Sequence, residues 1–268
     1  MRVTARIGAA VLAAAIVCGV GMALPAAAQE PTATVKAFLA GETKDCPGCD
    51  LTDATLVRRN LMGANLAGAI LIGAQLVESN LAGANLANAD MTEADLSLAN
   101  LRQANLHNVL PHGATLYLAD LTLADMSDSY MRGATLQRAR MQRVNLSGAF
   151  LIESDLREIR LGGATMTGAN LGGSNLNGAN LVDLDLRGVN LEVTDMIQAV
   201  LTRANLEGAN LRQADLYAAD LSDTNLRNTD FTEARLTAAN VAGANLREAI
   251  FKDTVLPSGE LHTGPLAP

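Results

Sequence analysis

From Leu51 to Leu256 a large apolar residue returns at every fifth position, with 32 Leu, 6 Met, 2 Phe and 1 Val over 42 sites and a single departure at Pro111. The residue two before each centre is usually Ala, as at Ala64, Ala84 and Ala104. The residue just before it is usually Asn or Asp, as at Asn65, Asn85 and Asp95. The running unit is therefore Ala-(Asn/Asp)-Leu-x-x, without insertion or deletion. A spacing of five suits neither common element. On an α-helix each step advances about 500°, so the Leu side chains would spiral over every face. On a continuous strand an odd period sends successive Leu residues to opposite faces. What remains is a chain that bends once per repeat, so that every Leu enters one interior and stacked repeats bury what one repeat cannot.

The units Ala-Asn-Leu-Ala-Gly at 64–68 and Ala-Asn-Leu-Arg-Gln at 209–213 resemble the pentapeptide-repeat family, and the resemblance runs from residue 51 to 256. It implies an all-β fold, a right-handed quadrilateral β-helix with one repeat per side and four repeats per coil. The departures from Asn/Asp bear on the square. Apolar residues take that outward site at Ile70, Leu110, Tyr130, Phe150, Val200, Ile250 and Val255, and five of these seven, all but Val200 and Val255, differ by multiples of twenty. Columns of that kind are what a stacked solenoid requires. About ten coils at about 4.8 Å give a rod roughly 50 Å long. Inside it Leu fills the middle of each side and Ala the tighter site near the corner. Arg59, Ile159 and Leu184 replace that small residue, which predicts local swelling, with Arg59 turned outward near a fraying end. Pro111 offers no N–H to the neighbouring coil, so the rod is expected to bend or loosen there.

The two ends read differently. Residues 1–28 carry Arg2 and Arg6, an apolar run from Ile7 to Leu24, and then Pro25-Ala26-Ala27-Ala28. This is the pattern of a secretory signal with an A-x-A cleavage site, which starts the mature chain at Gln29 and places it in the periplasm or outside the cell. Uncleaved, the run would be a membrane anchor, the one circumstance in which membrane contact is expected. Cys18 follows Val17, where lipoprotein processing would want a small neighbour. Residues 29–50 form an N-terminal cap, in which Val35, Phe38 and Leu39 suit the apolar stripe of a short helix over Thr34–Leu39. Cys46-Pro47-Gly48-Cys49 follows, and counting back from Leu51 puts Cys46 on an inward centre and Cys49 on the Ala site. A structural disulfide, a redox pair and a metal site remain open for them; redox use needs an exposed thiol of low pKa, and zinc needs two more ligands. The same stretch is similar to the start of many members of the family. Residues 257–268 hold three Pro and two Gly and read as a flexible tail.

Charge and chemistry narrow the function. The chain has 20 basic and 28 acidic residues; removing Arg2 and Arg6 leaves 18 against 28, a net charge of −10. That balance argues against nucleic-acid binding by charge neutralisation. Of the three His residues, His107 and His112 lie on adjacent sides at the same outward site, too few for a metal site. Gly162, Gly163, Gly172 and Gly173 fill outward sites beside corners rather than a phosphate loop. No catalytic residue, metal or cofactor is expected. Two surface anomalies remain. Leu110, Tyr130, Phe150 and Ile152, with Ile70 and Ile72 farther along, form an outward apolar strip suited to a partner. Beside it in sequence, Arg132, Arg138, Arg140, Arg143, Arg157 and Arg160 crowd an otherwise acidic rod, with Arg140 and Arg160 neighbours on one side. They mark an acidic ligand or partner, or a solvated face compensated by Glu153, Asp155 and Glu158.

The expected object is a non-enzymatic exported scaffold that binds a protein partner or a second copy of itself, through the strip or through the C-terminal end by which related solenoids often dimerise. The alternative comes from the resemblance: some cytoplasmic members mimic duplex DNA and occupy gyrase or topoisomerase. Their looped insertions would interrupt the register, which this chain never does.

Overall fold

The computed structural model describes residues 32–263, so the segment read as a signal lies outside the described residues. Among them no helix is long and apolar enough to cross a membrane. The chain opens with one helix, α1 (Ala33–Ala40), a residue longer at each end than the apolar stripe suggests. Thr32 caps its start by accepting the N–H of Val35. Gly41 ends it at φ 82, the left-handed conformation that lets its N–H return to Phe38 O.

From Cys46 onward the backbone is a β-helix whose coils pair in parallel at an offset of twenty residues, as in Asn65↔Asn85↔Asn105 and Asp155↔Asn175↔Asp195. Each coil therefore has four five-residue sides. The accounting of one repeat explains its residues. In the unit around Leu66, the Leu66 N–H bonds to Asn85 O at 2.7 Å and the Gly68 N–H to Ala87 O at 2.8 Å, both on the next coil. Ala69 N–H closes the turn onto Leu66 O at 3.1 Å, and Ile70 N–H reaches back to Cys49 O at 2.9 Å. The fifth donor, Ala67 N–H, is taken by the Asn65 carboxamide at 3.3 Å. All five N–H groups of the repeat are thus satisfied, as a buried backbone demands.

That fifth bond is why Asn and Asp precede the centre. Thr52, Thr92, Ser127, Gly172 and Arg212 N–H groups are each accepted by the Asn or Asp two residues earlier. Asn adds a second bond across coils: Asn190 Nδ2 donates to Asn170 Oδ1 at 2.9 Å and Asn210 Nδ2 to Asn190 Oδ1 at 3.0 Å. The site called outward from sequence is therefore half-buried and structural at most positions. The turn also forces the residue two after each centre into positive φ, met by Gly at Gly63 and Gly163 but by Leu98 at φ 61 and Val193 at φ 59 elsewhere.

The interior is four stacked columns of centres, mostly Leu, with Ala beside them, nearly all fully buried. Near the C-terminal end the centres enlarge to Phe231 and Phe251, whose rings stack at 5.1 Å. Ile159 and Leu184 stay buried in the Ala columns, and the coils part beside them. Arg160 N–H to Ala139 O lengthens to 3.4 Å and Leu161 N–H to Asn180 O to 3.5 Å, and among the described residues no pairing joins Thr165 to Asp185. Pro111 does less than expected. It removes the Leu110–Tyr130 pairing, yet Tyr130 N–H still reaches Val109 O at 3.0 Å and Tyr130 pairs with Phe150, so the register passes through intact.

Both ends correct the sequence reading. Arg59 does not turn outward: its guanidinium crosses to α1, donating to Phe38 O at 2.9 Å and Leu39 O at 3.1 Å, and lies 5.3 Å from the Phe38 ring centroid. Val35 and Phe38 are buried under that latch, whereas Leu39 is exposed. At the other end the supposed flexible tail begins as a hairpin, with β1 (Thr254–Val255) antiparallel to β2 (Leu261–His262) and Leu256 N–H bonded to Glu260 O at 2.8 Å. Residues 264–268 lie outside the described residues.

Leu146 is a fully buried centre and Gln142 an outward residue on the preceding side. Leu146→Asp should cost about 4 kcal/mol by burying an unpartnered carboxyl, and Gln142→Asp should be nearly neutral; equal melting temperatures for the two would refute the register. Val193 is β-branched, 52% exposed and held at φ 59. Val193→Gly should stabilise the chain by about 1 kcal/mol through relief of that conformation, measured by denaturant unfolding, and a loss of stability would show that Val193 packing outweighs the strain.

Candidate functional site

At the N-terminal end Cys46 and Cys49 are buried, on the inward centre and the Ala site, and are joined by a disulfide across 5.4 Å between Cα atoms. Cys46 N–H bonds to Asn65 O at 2.8 Å, so the bridge sits within the first coil, at the same end of the β-helix as α1. A sulfur pair so enclosed is a cross-link of the cap rather than an exposed reactive thiol.

The apolar strip takes shape around two rings. Tyr130 and Phe150 stack in parallel, 5.0 Å between centroids and 6° between planes, and are 41% and 38% exposed. Ile70 is also exposed, while Leu110, Ile152 and Ile72 are only half-buried flanks. Because Tyr130 and Phe150 stand where Asn or Asp usually stands, the turn N–H groups of Arg132 and Ile152 lose their side-chain acceptor and bond to nothing else in the described chain. Beyond Ile152 the side carries a shallow groove of about 390 Å³ lined by Glu153, Gly172, Gly173, Glu192 and Val193.

The arginines divide. Arg132 pairs with Glu153 at 3.0 Å, Arg138 with Glu158 at 2.9 Å and Arg157 with Asp155 at 2.6 Å. The Arg157 guanidinium holds the Asp155 carboxyl below its usual range, and Arg138 does the same for Glu158. Arg140, Arg143 and Arg160 have no ion pair or side-chain hydrogen bond among the described residues. Arg140 and Arg160 pair along their backbones and are exposed. They lie ten residues from Tyr130 and Phe150 in a coil of twenty, hence on the opposite side of the square. The strip and the arginines are two separate surfaces, which adjacency in sequence had merged.

His107 accepts or donates to Ser127 Oγ at 3.0 Å and lies 3.8 Å from Asp128, an ordinary surface contact. Among the described residues no group of three or more His, Cys, Asp or Glu side chains could hold a metal ion.

Eight overlapping copies of the Pentapeptide repeats family model match the chain, over residues 45–116 and 119–253. The chain is a pentapeptide repeat protein. Its β-helix is accordingly the right-handed solenoid of that family, and proteins of the family are in general non-enzymatic structural and interaction proteins. Among solved structures it is similar to HetL, a pentapeptide repeat protein involved in heterocyst differentiation regulation from the cyanobacterium Nostoc sp. strain PCC 7120, at 27% identity and a TM-score of 0.53 over 87% of this chain and 100% of that one. QnrB1, a plasmid-mediated fluoroquinolone resistance protein, matches at 14% identity over 75% of this chain and 90% of its own, with a TM-score of 0.36. A pentapeptide repeat protein from the Arabidopsis thaliana thylakoid lumen matches at 30% identity over 40% of this chain and 68% of its own, with a TM-score of 0.27. Superpositions as loose as the last two do not bear on function. No curated protein matches the chain.

The cap makes a direct prediction. Intact mass of this pentapeptide repeat protein, purified from an oxidising compartment, should rise on reduction and alkylation by two alkyl groups at Cys46 and Cys49, with no labelling of these two beforehand. Labelling of both without reductant would refute the bond. Cys46→Ala/Cys49→Ala should lower the melting temperature by a few degrees, since the loop closed is short.

Proposed function

We propose that this pentapeptide repeat protein is an exported, non-enzymatic scaffold that receives a protein partner on the strip centred on Tyr130 and Phe150. The observation that carries the reading is the exposed ring stack itself. Each ring replaces a residue whose side chain would have satisfied a turn N–H, a bond worth about 1 kcal/mol. The ring contact returns a similar amount, about 0.5–1.5 kcal/mol, so the exchange brings the fold little net stability while leaving both rings about 40% exposed. A partner gains more: aromatic rings suit the desolvated centre of an interface, and the freed N–H groups of Arg132 and Ile152 offer it donors. The groove that runs on from Ile152 past Gly172 extends the same face. Export rests on residues 1–28, with Gln29 as the first residue of the mature chain, and the cap disulfide accords with an oxidising compartment.

The C-terminal end supports a second reading, association with another copy. Val241, Ala244, Leu246 and Ala249 are only half-buried, and the N–H groups of Val241 and Leu246 have no acceptor among the described residues, which leave an unpaired β edge on the last full coil. The gyrase-directed alternative has no corresponding observation, because the register admits no looped insertion between 51 and 256.

Tyr130→Asn/Phe150→Asn restores the usual residue type at both sites. The double variant should melt at or above the parent temperature and lose its partner in a periplasmic pull-down. Light scattering separates the two readings: unchanged mass with a lost partner supports the strip, whereas unchanged mass and unchanged partners in the folded variant would leave the C-terminal end as the interface.

A further inference from the structure

The cleft on the opposite side of the rod has a chemistry of its own. It is lined by Leu118, Arg138, Arg140, Glu158 and Arg160 and encloses about 330 Å³. Glu158 is engaged twice by Arg138, at 2.9 and 3.0 Å, so that pair is neutral. Arg140 and Arg160 remain, two positive charges on adjacent strands with Cα atoms about 4.8 Å apart by strand geometry. Like charges directly opposite each other repel, and this chain has acid to spare: 28 acidic residues against 20 basic. The acids within reach are committed elsewhere. Asp120, which pairs along the backbone with Arg140, gives one carboxylate oxygen to the Thr122 hydroxyl at 2.6 Å and the other to Arg102 at 3.3 Å. Asp155 is held by Arg157. On the far side of Arg160 stands neutral Asn180, whose Oδ1 accepts Val182 N–H.

We propose that the Arg140–Arg160 pair is a binding site for a phosphate monoester. Two guanidinium forks facing one cleft need an anion that carries more than one charge and more than two acceptor oxygens. A carboxylate satisfies one fork and one charge. A phosphate monoester offers three terminal oxygens and a charge of about −1.5 to −2 at neutral pH, enough to engage both. Leu118 supplies an apolar wall for the group that bears the phosphate. Arg143, also unpaired, stands at the next corner and adds positive potential without lining the cleft. This site is independent of the aromatic strip, so neither stands or falls with the other.

The test uses the full chain and glycerol 3-phosphate as the probe, in isothermal titration at fixed ionic strength, with acetate as the carboxylate control. Saturable binding is expected for the parent and for Arg187→Asn, which alters an arginine paired with Asp185 on another side. Arg140→Asn/Arg160→Asn places the repeat's usual residue at both sites, and should keep the melting temperature while weakening binding at least ten-fold. Arg140→Lys/Arg160→Lys keeps charge and removes the forks, and should weaken it several-fold. A second arm asks whether the phosphate belongs to a lipid headgroup. Sedimentation with phosphatidylcholine vesicles containing phosphatidic acid, dependent on both arginines and displaced by free glycerol 3-phosphate, supports the site with the membrane as its source. Binding of glycerol 3-phosphate without such sedimentation supports it with a free ligand. The proposal is overturned if neither probe binds, if binding survives the double Asn variant, if the Lys pair binds as tightly as the parent, or if acetate binds as tightly as phosphate.

Discussion

The inter-coil hydrogen-bond ladder governs everything else in this molecule. A repeat has five N–H groups. Three go to neighbouring coils, one closes the turn, and the last has no backbone acceptor within reach, as the unit around Leu66 shows. Asn or Asp before the centre supplies that acceptor, and so the most polar position of the motif follows from a backbone need rather than from solvent exposure. The same ladder forbids insertions. One extra residue would move every Leu downstream off the interior and misalign every pairing at offset twenty, and the unbroken run from 51 to 256 is the outcome. Tight turns at every corner then impose positive φ, which the chain accepts even at Leu98 and Val193 because the ladder over-determines the backbone there.

What the sequence disclosed was phase. The centre, the Ala site and the stacking of residues twenty apart could all be counted, because each repeats dozens of times and a repeat's surroundings are other repeats. Ile159 and Leu184 were legible as misfits for the same reason, and the lengthened bonds near Arg160 and Leu161 lie beside them. Pro111 was overrated because a missing donor removes one bond, while the coil is held by several others on either side.

Legibility fails where periodicity stops or where a side chain is long. Arg59 occupies an Ala site, and phase alone would bury its charge or expel it. The actual solution, carbonyls at the end of α1 and the face of Phe38, depends on where a non-repeating helix lands. The hairpin pairing Thr254–Val255 with Leu261–His262 was hidden by a composition of Pro and Gly that reads as loose chain. The arginines were hidden differently. Counting places Arg132, Arg138 and Arg157 in a cluster with Arg140 and Arg160, but salt-bridge partners at offsets of two, twenty and twenty-one residues decide which are neutralised, and those offsets reflect side-chain reach as well as phase.

A fold of this kind makes surface departures unusually informative. In a globular protein an exposed aromatic ring can support its neighbours in ways that sequence does not reveal, so its presence says little. Here the alternative residue at Tyr130 or Phe150 is known from Asp90, Asn170, Asn190, Asn210 and Asp230 in the same column, and so is the bond it would make. The exchange gives up a turn hydrogen bond and gains a ring contact that leaves both rings about 40% exposed. The same reasoning applies to Arg140 and Arg160, which stand in a column that also holds Asp120, Asn180, Val200 and Asp220, where the acid and amide side chains serve the ladder. Neither anomaly supplies the turn hydrogen bond that the repeat's usual side chain makes. The ring stack and the arginine pair lie on opposite sides of the square, so ligands proposed for the two would not compete for space.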